Sequence, residues 1–174
     1  MADVLVRLRL AESVVQRKTS EEADREIEAL ARQLVLALAT SPSDAFLWLM
    51  LYSVDVSRSG FSSKTLTYLK QSYLAAPREA WIALRRNRLG LAVFPMLEEP
   101  VRNNVVSEFA GLLDSGFPEE AAANLVSTGW PHRKILLASL EPVDFANRQT
   151  LSKLLAAQGL KLEVPGIQPS DRPW

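Results

Sequence analysis

The part of this sequence best suited to binding chemistry is a cluster of three arginines. Arg85, Arg86 and Arg88 lie in the segment AWIALRRNRLGLAVF. A guanidinium group can bind a carboxylate through two parallel hydrogen bonds, so the cluster could hold an acidic segment of a partner protein. The alternative is that the arginines solvate one face of a helix and form exposed ion pairs with nearby glutamates, namely Glu79, Glu98 and Glu99.

Catalytic chemistry is poorly represented. The single histidine, His132, stands beside Arg133 and Lys134, a cationic setting that opposes its protonation, and no partner carboxylate is in view. We therefore expect His132 to be a surface residue and neither a metal ligand nor a general base. Three pairs of adjacent glutamates fall at predicted helix starts or near prolines, where the helix dipole accounts for them. These pairs are Glu21–Glu22, Glu98–Glu99 and Glu119–Glu120.

No glycine-rich phosphate loop, nucleophile elbow or zinc-binding spacing occurs in the sequence. There is also no cysteine, which excludes disulfides and thiolate chemistry. The sequence thus predicts a protein that is not an enzyme and that needs no cofactor and no metal.

The charge balance bears on the partner. Twenty basic residues are matched by 20 acidic residues among 174, so a nucleic-acid partner is not expected. Arg7 and Arg9 interrupt the apolar start that a secretory signal would need, and the longest apolar run, Ala45 to Tyr52, is too short to span a bilayer. The prediction is a cytoplasmic protein without membrane insertion, or a periplasmic one if a signal or anchor was removed before Met1.

These residues must be positioned by helices, because apolar residues recur at spacings of three and four and strand-like alternation is nearly absent. The predicted fold class is all-α with about nine helices in one domain over residues 1–159, followed by an extended tail over 160–174. Thr19 and Glu22 form an expected capping box. Further helix starts are expected at Ser41, Pro42 and Asp44, at Ser62 or Ser63, and at Pro118, Pro131 and Asp144. Gly60 is an expected helix stop. A first helix is predicted over about 2–17.

Two segments repeat in register. ARQLVLALATSP, which ends at Pro42, matches YLKQSYLAAP, which ends at Pro77, so that Leu34 aligns with Leu69 and Ala37 with Ser72. A small side chain lets two antiparallel helices approach closely, and the proline then ends the second helix. Trp48 and Leu51 follow Pro42 at the spacing of a known repeat.

This pattern resembles the tetratricopeptide repeat (TPR). The resemblance covers about residues 29–94, and it departs from the family at Tyr52 and at Trp81, which comes two positions early. It implies antiparallel helical hairpins in a short right-handed TPR-like solenoid with a divergent C-terminal helical cap. The residues that it assigns to packing between repeats are Ala37, Trp48, Leu51, Leu69, Ser72 and Trp81.

In such a solenoid the first helix of each hairpin lines a concave groove. The resemblance therefore implies that the arginine cluster binds a partner there, with Tyr52, Asp55 and Arg58 contributed by the preceding first helix. For Tyr52, a place in the core is an equal alternative.

The predicted function is a non-catalytic adaptor or scaffold that binds a protein segment, such as an acidic one, through a helical groove. The alternative is a structural subunit that forms homodimers. The segments SDAFLWLMLY and AWIALRRNRL also resemble short bacterial TPR-like proteins that accompany exopolysaccharide assembly genes, which implies an accessory role in that process.

Overall fold

The structure, a computed structural model, describes residues 20–77 and 79–168, apart from the side chains of Ser20 and Glu21. These residues form helices and no strand, which confirms the all-α class. The α-helices are α1 (Ser20–Thr40), α2 (Ala45–Ser59), α3 (Ser63–Ala75), α4 (Ala80–Ala92), α5 (Glu99–Asp114), α6 (Pro118–Val126), α7 (Arg133–Ala138) and α8 (Phe145–Ala157), with short 3-10 helices at Phe94–Met96 and Trp130–His132. The helix predicted over 2–17 and the capping residue Thr19 lie outside the described residues.

Most predicted helix boundaries are confirmed, and one is corrected. Gly60 ends α2 with a positive φ of 73°, and its amide donates to the Val56 carbonyl. The start of α2 was predicted too early: Pro42 lies in a turn, and the cap is Asp44, whose carboxylate accepts from the amides of Phe46 and Leu47 at 2.9 and 3.1 Å. A carboxylate satisfies two amides that would otherwise lack acceptors, so it defines the helix start better than a proline can.

The two proline stops are also observed. Helix α1 ends at Thr40 and helix α3 at Ala75, each two residues before the predicted proline. The start of α3 is a reciprocal cap, in which the Ser62 amide donates to Thr65 Oγ1 at 2.9 Å and the Thr65 amide donates to Ser62 Oγ at 3.2 Å. These ends fix the lengths of the helices that repeat in the sequence.

The chain divides into two compact units, with the boundary between Ala75 and Ala76. In the first unit, α1 packs on α2 and α2 packs on α3. The α2–α3 hairpin is antiparallel, because Ser72 near the end of α3 donates to the Ala45 carbonyl at the start of α2, at 2.8 Å. The single domain predicted over 1–159 and the solenoid arrangement stay predictions.

In the second unit, α5 is the central helix, since it packs on α4, α6, α7 and α8. Its inward side is mostly apolar, with Val105, Phe109 and Leu113 each at 0% exposure, and it also carries the buried Glu108. Helix α6 also packs on α4 and α8. The core of this unit therefore forms around α5, and α4 contributes one of its walls.

The predicted tail is packed over its described part. Residues 160–168 contain no helix, but Val164 is 3% exposed and Arg148 on α8 donates to the Pro165 carbonyl at 2.6 Å. This hydrogen bond and the buried valine hold the segment against α8.

Candidate binding surface on helix α4

Helix α4 presents an aromatic ring and two cations in one row. Trp81, Arg85 and Arg88 are exposed, and their spacings of four and three residues place them on the same face of a helix. With a rise of about 1.5 Å per residue, this row is about 10 Å long. We call these three residues the α4 surface.

Trp81 is an unusual member of this row, because 48% of a large aromatic side chain is exposed. Its indole Nε1 donates to the Glu79 carboxylate at 3.0 Å. This contact sets the direction of the ring, and about half of the side chain stays accessible. The assignment of Trp81 to packing between repeats is therefore corrected: the residue lies on the surface.

The opposite face of α4 turns into the second unit through apolar and polar contacts. Ile82 and Leu91 are buried, and so are two polar residues, Arg86 and Asn87. Arg86 is enclosed, at 0% exposure, and its Nε and Nη2 donate to Glu108 Oε1 at 2.9 and 2.5 Å. This buried ion pair ties α4 to α5.

Two more polar contacts fix the same face. Arg86 Nη2 also donates to the Ala76 carbonyl at 3.0 Å. The Asn87 amide donates to the Val105 carbonyl at 2.9 Å, and its oxygen accepts from Asn124 on α6 at 3.2 Å. Because buried polar groups must be paired, these bonds permit one rotation of α4 about its axis. That rotation directs the α4 surface outward.

The arginine cluster is thus divided. Arg85 and Arg88 are exposed on the outer face. Arg86, which was predicted to bind a partner, instead lies in the core, and its enclosed guanidinium binds Glu108. The signal that distinguishes these arginines is the helical turn of about 100° per residue, which places 85 and 88 together and 86 elsewhere.

The predicted groove residues of α2 are less accessible than expected. Tyr52 is 2% exposed, and burial raises its pKa to about 12. It therefore occupies the core, as the alternative prediction had it. The Asp55 carboxylate is nearly enclosed and binds Arg58 at 3.1 Å and Lys64 at 3.6 Å. Only Arg58 among the three α2 residues offers a partly exposed charge.

The residues assigned to packing between repeats lie mostly in the first unit. Leu51 and Leu69 are buried at 4% and 0% exposure, while Ala37 is half-buried. Ser72 is enclosed and hydrogen-bonded to the Ala45 carbonyl, which is the close approach that a small side chain allows.

Trp48 was also assigned to packing between repeats. It is only half-buried, and its ring stacks on Tyr68 with centroids 6.0 Å apart. Its indole Nε1 donates to the Pro42 carbonyl at 2.8 Å. The residue therefore joins α2 to α3 at the edge of the hairpin.

His132 is half-buried and was predicted to lie on the surface. Its ring packs on Phe94 with a centroid distance of 4.4 Å, and burial lowers the pKa of the imidazole. Within residues 20–77 and 79–168 no three His, Asp or Glu side chains are grouped so that they could hold a metal ion. No helix in these ranges is long and apolar enough to cross a bilayer.

Comparison with known proteins adds no relative: no family model, no curated protein and no solved structure matches this chain. The resemblance to the tetratricopeptide repeat stays a prediction. The site is therefore interpreted from its own chemistry, which is an exposed ring beside exposed cations on a helix held in one orientation.

Proposed function

We propose that this chain is a non-catalytic adaptor that binds an acidic segment of a partner protein through the α4 surface. The observation that carries the proposal is the row of Trp81, Arg85 and Arg88 on the outer face of α4. Tryptophan and arginine are the residue types that most often contribute binding energy at protein interfaces. An apolar side chain of the partner would cover Trp81, and carboxylates would meet the two guanidinium groups.

The buried contacts of α4 support this role. Binding requires less ordering when the recognition face is fixed beforehand. Arg86 and Asn87 fix it through hydrogen bonds to Glu108 and the Val105 carbonyl. The partner would therefore meet a row of groups whose backbone is already in place.

The test is binding of a fluorescein-labelled peptide that contains four glutamates and two leucines, measured by fluorescence anisotropy. The double variant Arg85→Ala/Arg88→Ala should weaken binding at least about tenfold, because both charge-assisted contacts are lost. The matched control is Arg25→Ala/Arg32→Ala on α1, which removes the same net charge from exposed positions. Equal weakening in both variants would show that only overall charge matters, and the α4 surface would be rejected.

A TPR-like arrangement of hairpins is part of this proposal. It is supported by the antiparallel α2–α3 hairpin and by the ends of α1 and α3, which fall at the same distance before Pro42 and Pro77. The resemblance to bacterial proteins that accompany exopolysaccharide assembly suggests one setting for such an adaptor, as an accessory protein.

A structural subunit that forms homodimers is the second candidate. Val35 and Leu36 on α1 are 53% and 69% exposed, and the exposed Ala39 lies one turn further along the helix. Two large aliphatic side chains and an alanine at this spacing form an apolar patch that a second copy of the chain would cover. Light scattering should then show a dimer that Leu36→Glu converts to a monomer, while Leu74→Glu, which also replaces an exposed leucine, leaves it intact. A monomeric wild-type protein would exclude this candidate.

A further inference from the structure

A second group of cations and aromatic rings lies on the α2–α3 hairpin, in the other unit of the chain. Arg58 and Lys64 contact the carboxylate of Asp55, and Tyr68 contacts both Lys64 and Trp48. We call these five residues the hairpin surface. Arg58 Nη2 lies 3.1 Å from Asp55 Oδ1, and Lys64 Nζ lies 3.6 Å from Asp55 Oδ2. Two cations therefore share one anion, which leaves this surface with a surplus positive charge.

The two cations are accessible, and the anion is not. The side chains of Arg58 and Lys64 are 39% and 63% exposed, whereas that of Asp55 is 6% exposed. An enclosed carboxylate needs a compensating cation, and Arg58 supplies one with hydrogen-bonding geometry. The Lys64 contact is longer, at 3.6 Å, and the ammonium group has three donors on a side chain that is mostly exposed, so another acceptor can approach it.

The charge of Lys64 is secure at neutral pH. The side chain of Tyr68 is the largest cause that raises the pKa of Lys64, and the Asp55 carboxylate raises it further. The ammonium also lies 5.6 Å from the centroid of the Tyr68 ring, within the range of a cation–π contact. The lysine is thereby held beside the aromatic ring.

The rings supply the apolar part of the surface. Trp48 and Tyr68 stack at 6.0 Å, and both are half-buried. The polar atom of the indole is already used, because Nε1 donates to the Pro42 carbonyl. What the tryptophan offers to a ligand is therefore apolar ring surface next to the exposed ammonium and guanidinium groups.

We infer that the hairpin surface binds a carboxylate that stands beside an apolar side chain in a partner protein, and that Asp55 is an internal competitor for the two cations. The partner's carboxylate would take the donors of Lys64 and Arg58 that face solvent. Its apolar neighbour would cover the Trp48 and Tyr68 rings. This inference is independent of the α4 surface, because it concerns different residues in a different unit.

The competitor role gives a test in which a substitution strengthens binding. Asp55→Asn removes the shared negative charge and keeps the size of the side chain, so both cations become more attractive to a carboxylate. We expect the variant to bind the peptide of four glutamates and two leucines about 1.5-fold to fivefold more tightly than wild type, the range expected for an exposed ion pair. Lys64→Ala should reverse this gain when combined with Asp55→Asn.

The control is Asp24→Asn on α1, which changes net charge equally at an exposed position of the same unit. Amide and indole resonances of the ¹⁵N-labelled protein locate the binding, and the Trp48 indole should shift on titration. A second peptide, with glycine in place of leucine, should bind more weakly because it leaves the rings uncovered.

Three results would overturn the inference. The first is a gain for Asp24→Asn as large as that for Asp55→Asn, which would mean that only net charge matters. The second is the absence of shifts at Trp48 and along 58–68 when Asp55→Asn binds the peptide. The third is equal affinity for inorganic pyrophosphate, which would assign the cations to phosphate ligands. The titration is repeated with the same substitutions introduced into the Arg85→Ala/Arg88→Ala variant, which lacks the cations of the α4 surface. These outcomes therefore do not depend on whether the α4 surface binds the peptide.

Discussion

The buried ion pair between Arg86 and Glu108 offers the most decisive perturbation of the second unit. Glu108→Ala would remove the carboxylate that binds the Arg86 guanidinium, which is enclosed at 0% exposure. The arginine would keep its hydrogen bond to the Ala76 carbonyl, but its Nε and part of Nη2 would lose their acceptor. The expected result is a large loss in the free energy of unfolding.

The magnitude follows from two opposing contributions. Charges about 4 Å apart attract by about 4 kcal/mol at an effective dielectric constant of 20. Desolvation of each ion costs several kcal/mol, so the intact pair is close to neutral in its net effect, whereas deletion of one partner costs about 3–5 kcal/mol. Arg86→Met/Glu108→Leu removes both charges and keeps most of the volume, but it also removes the donor to the Ala76 carbonyl. We expect the double variant to be more stable than Glu108→Ala and to lie about 1–3 kcal/mol below wild type in its free energy of unfolding.

The assay is urea denaturation followed by far-ultraviolet circular dichroism. The matched control is Glu28→Ala on α1, which breaks the ion pair with Arg32 at 3.0 Å between side chains that are 55% and 64% exposed. Exposed pairs of this spacing contribute about 0.3–0.5 kcal/mol. A loss below about 1 kcal/mol for Glu108→Ala, or a double variant as unstable as the single one, would refute the argument that a buried, mutually dependent pair holds α4 to α5.

Three further outcomes are expected from the same denaturation assay. Trp48→Ala should lower the free energy of unfolding by about 2 kcal/mol, because the side chain is only half-buried. Replacing a fully buried tryptophan costs roughly 3–5 kcal/mol, so a loss above about 4 kcal/mol would mean that Trp48 is enclosed. Ser72→Ala should cost about 1 kcal/mol through loss of the hydrogen bond to the Ala45 carbonyl, while the exposed Ser63→Ala serves as a control. Burial lowers the pKa of His132 in the folded state, so the unfolded state binds its proton more readily, and stability should fall as pH drops below about 6.5 towards the folded pKa. His132→Gln should reduce that fall between about pH 7.5 and 5.5, and an unchanged slope would contradict the assignment.

Much of the fold could be predicted from the sequence, because helix ends depend on local chemistry. Gly60 and the prolines after α1 and α3 lie at the ends that were predicted for them. The error at Pro42 is also local. Ser41, Pro42 and Asp44 are all compatible with a helix start, and the structure uses Asp44, whose carboxylate accepts from two backbone amides.

The candidate site could be predicted only in part, since burial depends on helices far away in the sequence. Arg85, Arg86 and Arg88 are equivalent as residue types, and helical phase separates them into two faces without saying which face meets water. That choice is made by α5, which brings Glu108 to Arg86 across 22 positions of the chain. Asn87 and Asn124 meet over a still longer separation of 37 positions. No local pattern contains such partners.

The polar residues on the buried face of α4 have a further consequence for recognition. An apolar stripe such as that formed by Ile82 and Leu91 tolerates small rotations of a helix, because dispersion contacts have little directionality. Asn87 does not, since its amide must reach the Val105 carbonyl while its oxygen accepts from Asn124. Directional contacts of this kind select one orientation even where they add little stability. The face that α4 turns towards solvent is therefore fixed by the groups that solvent never reaches.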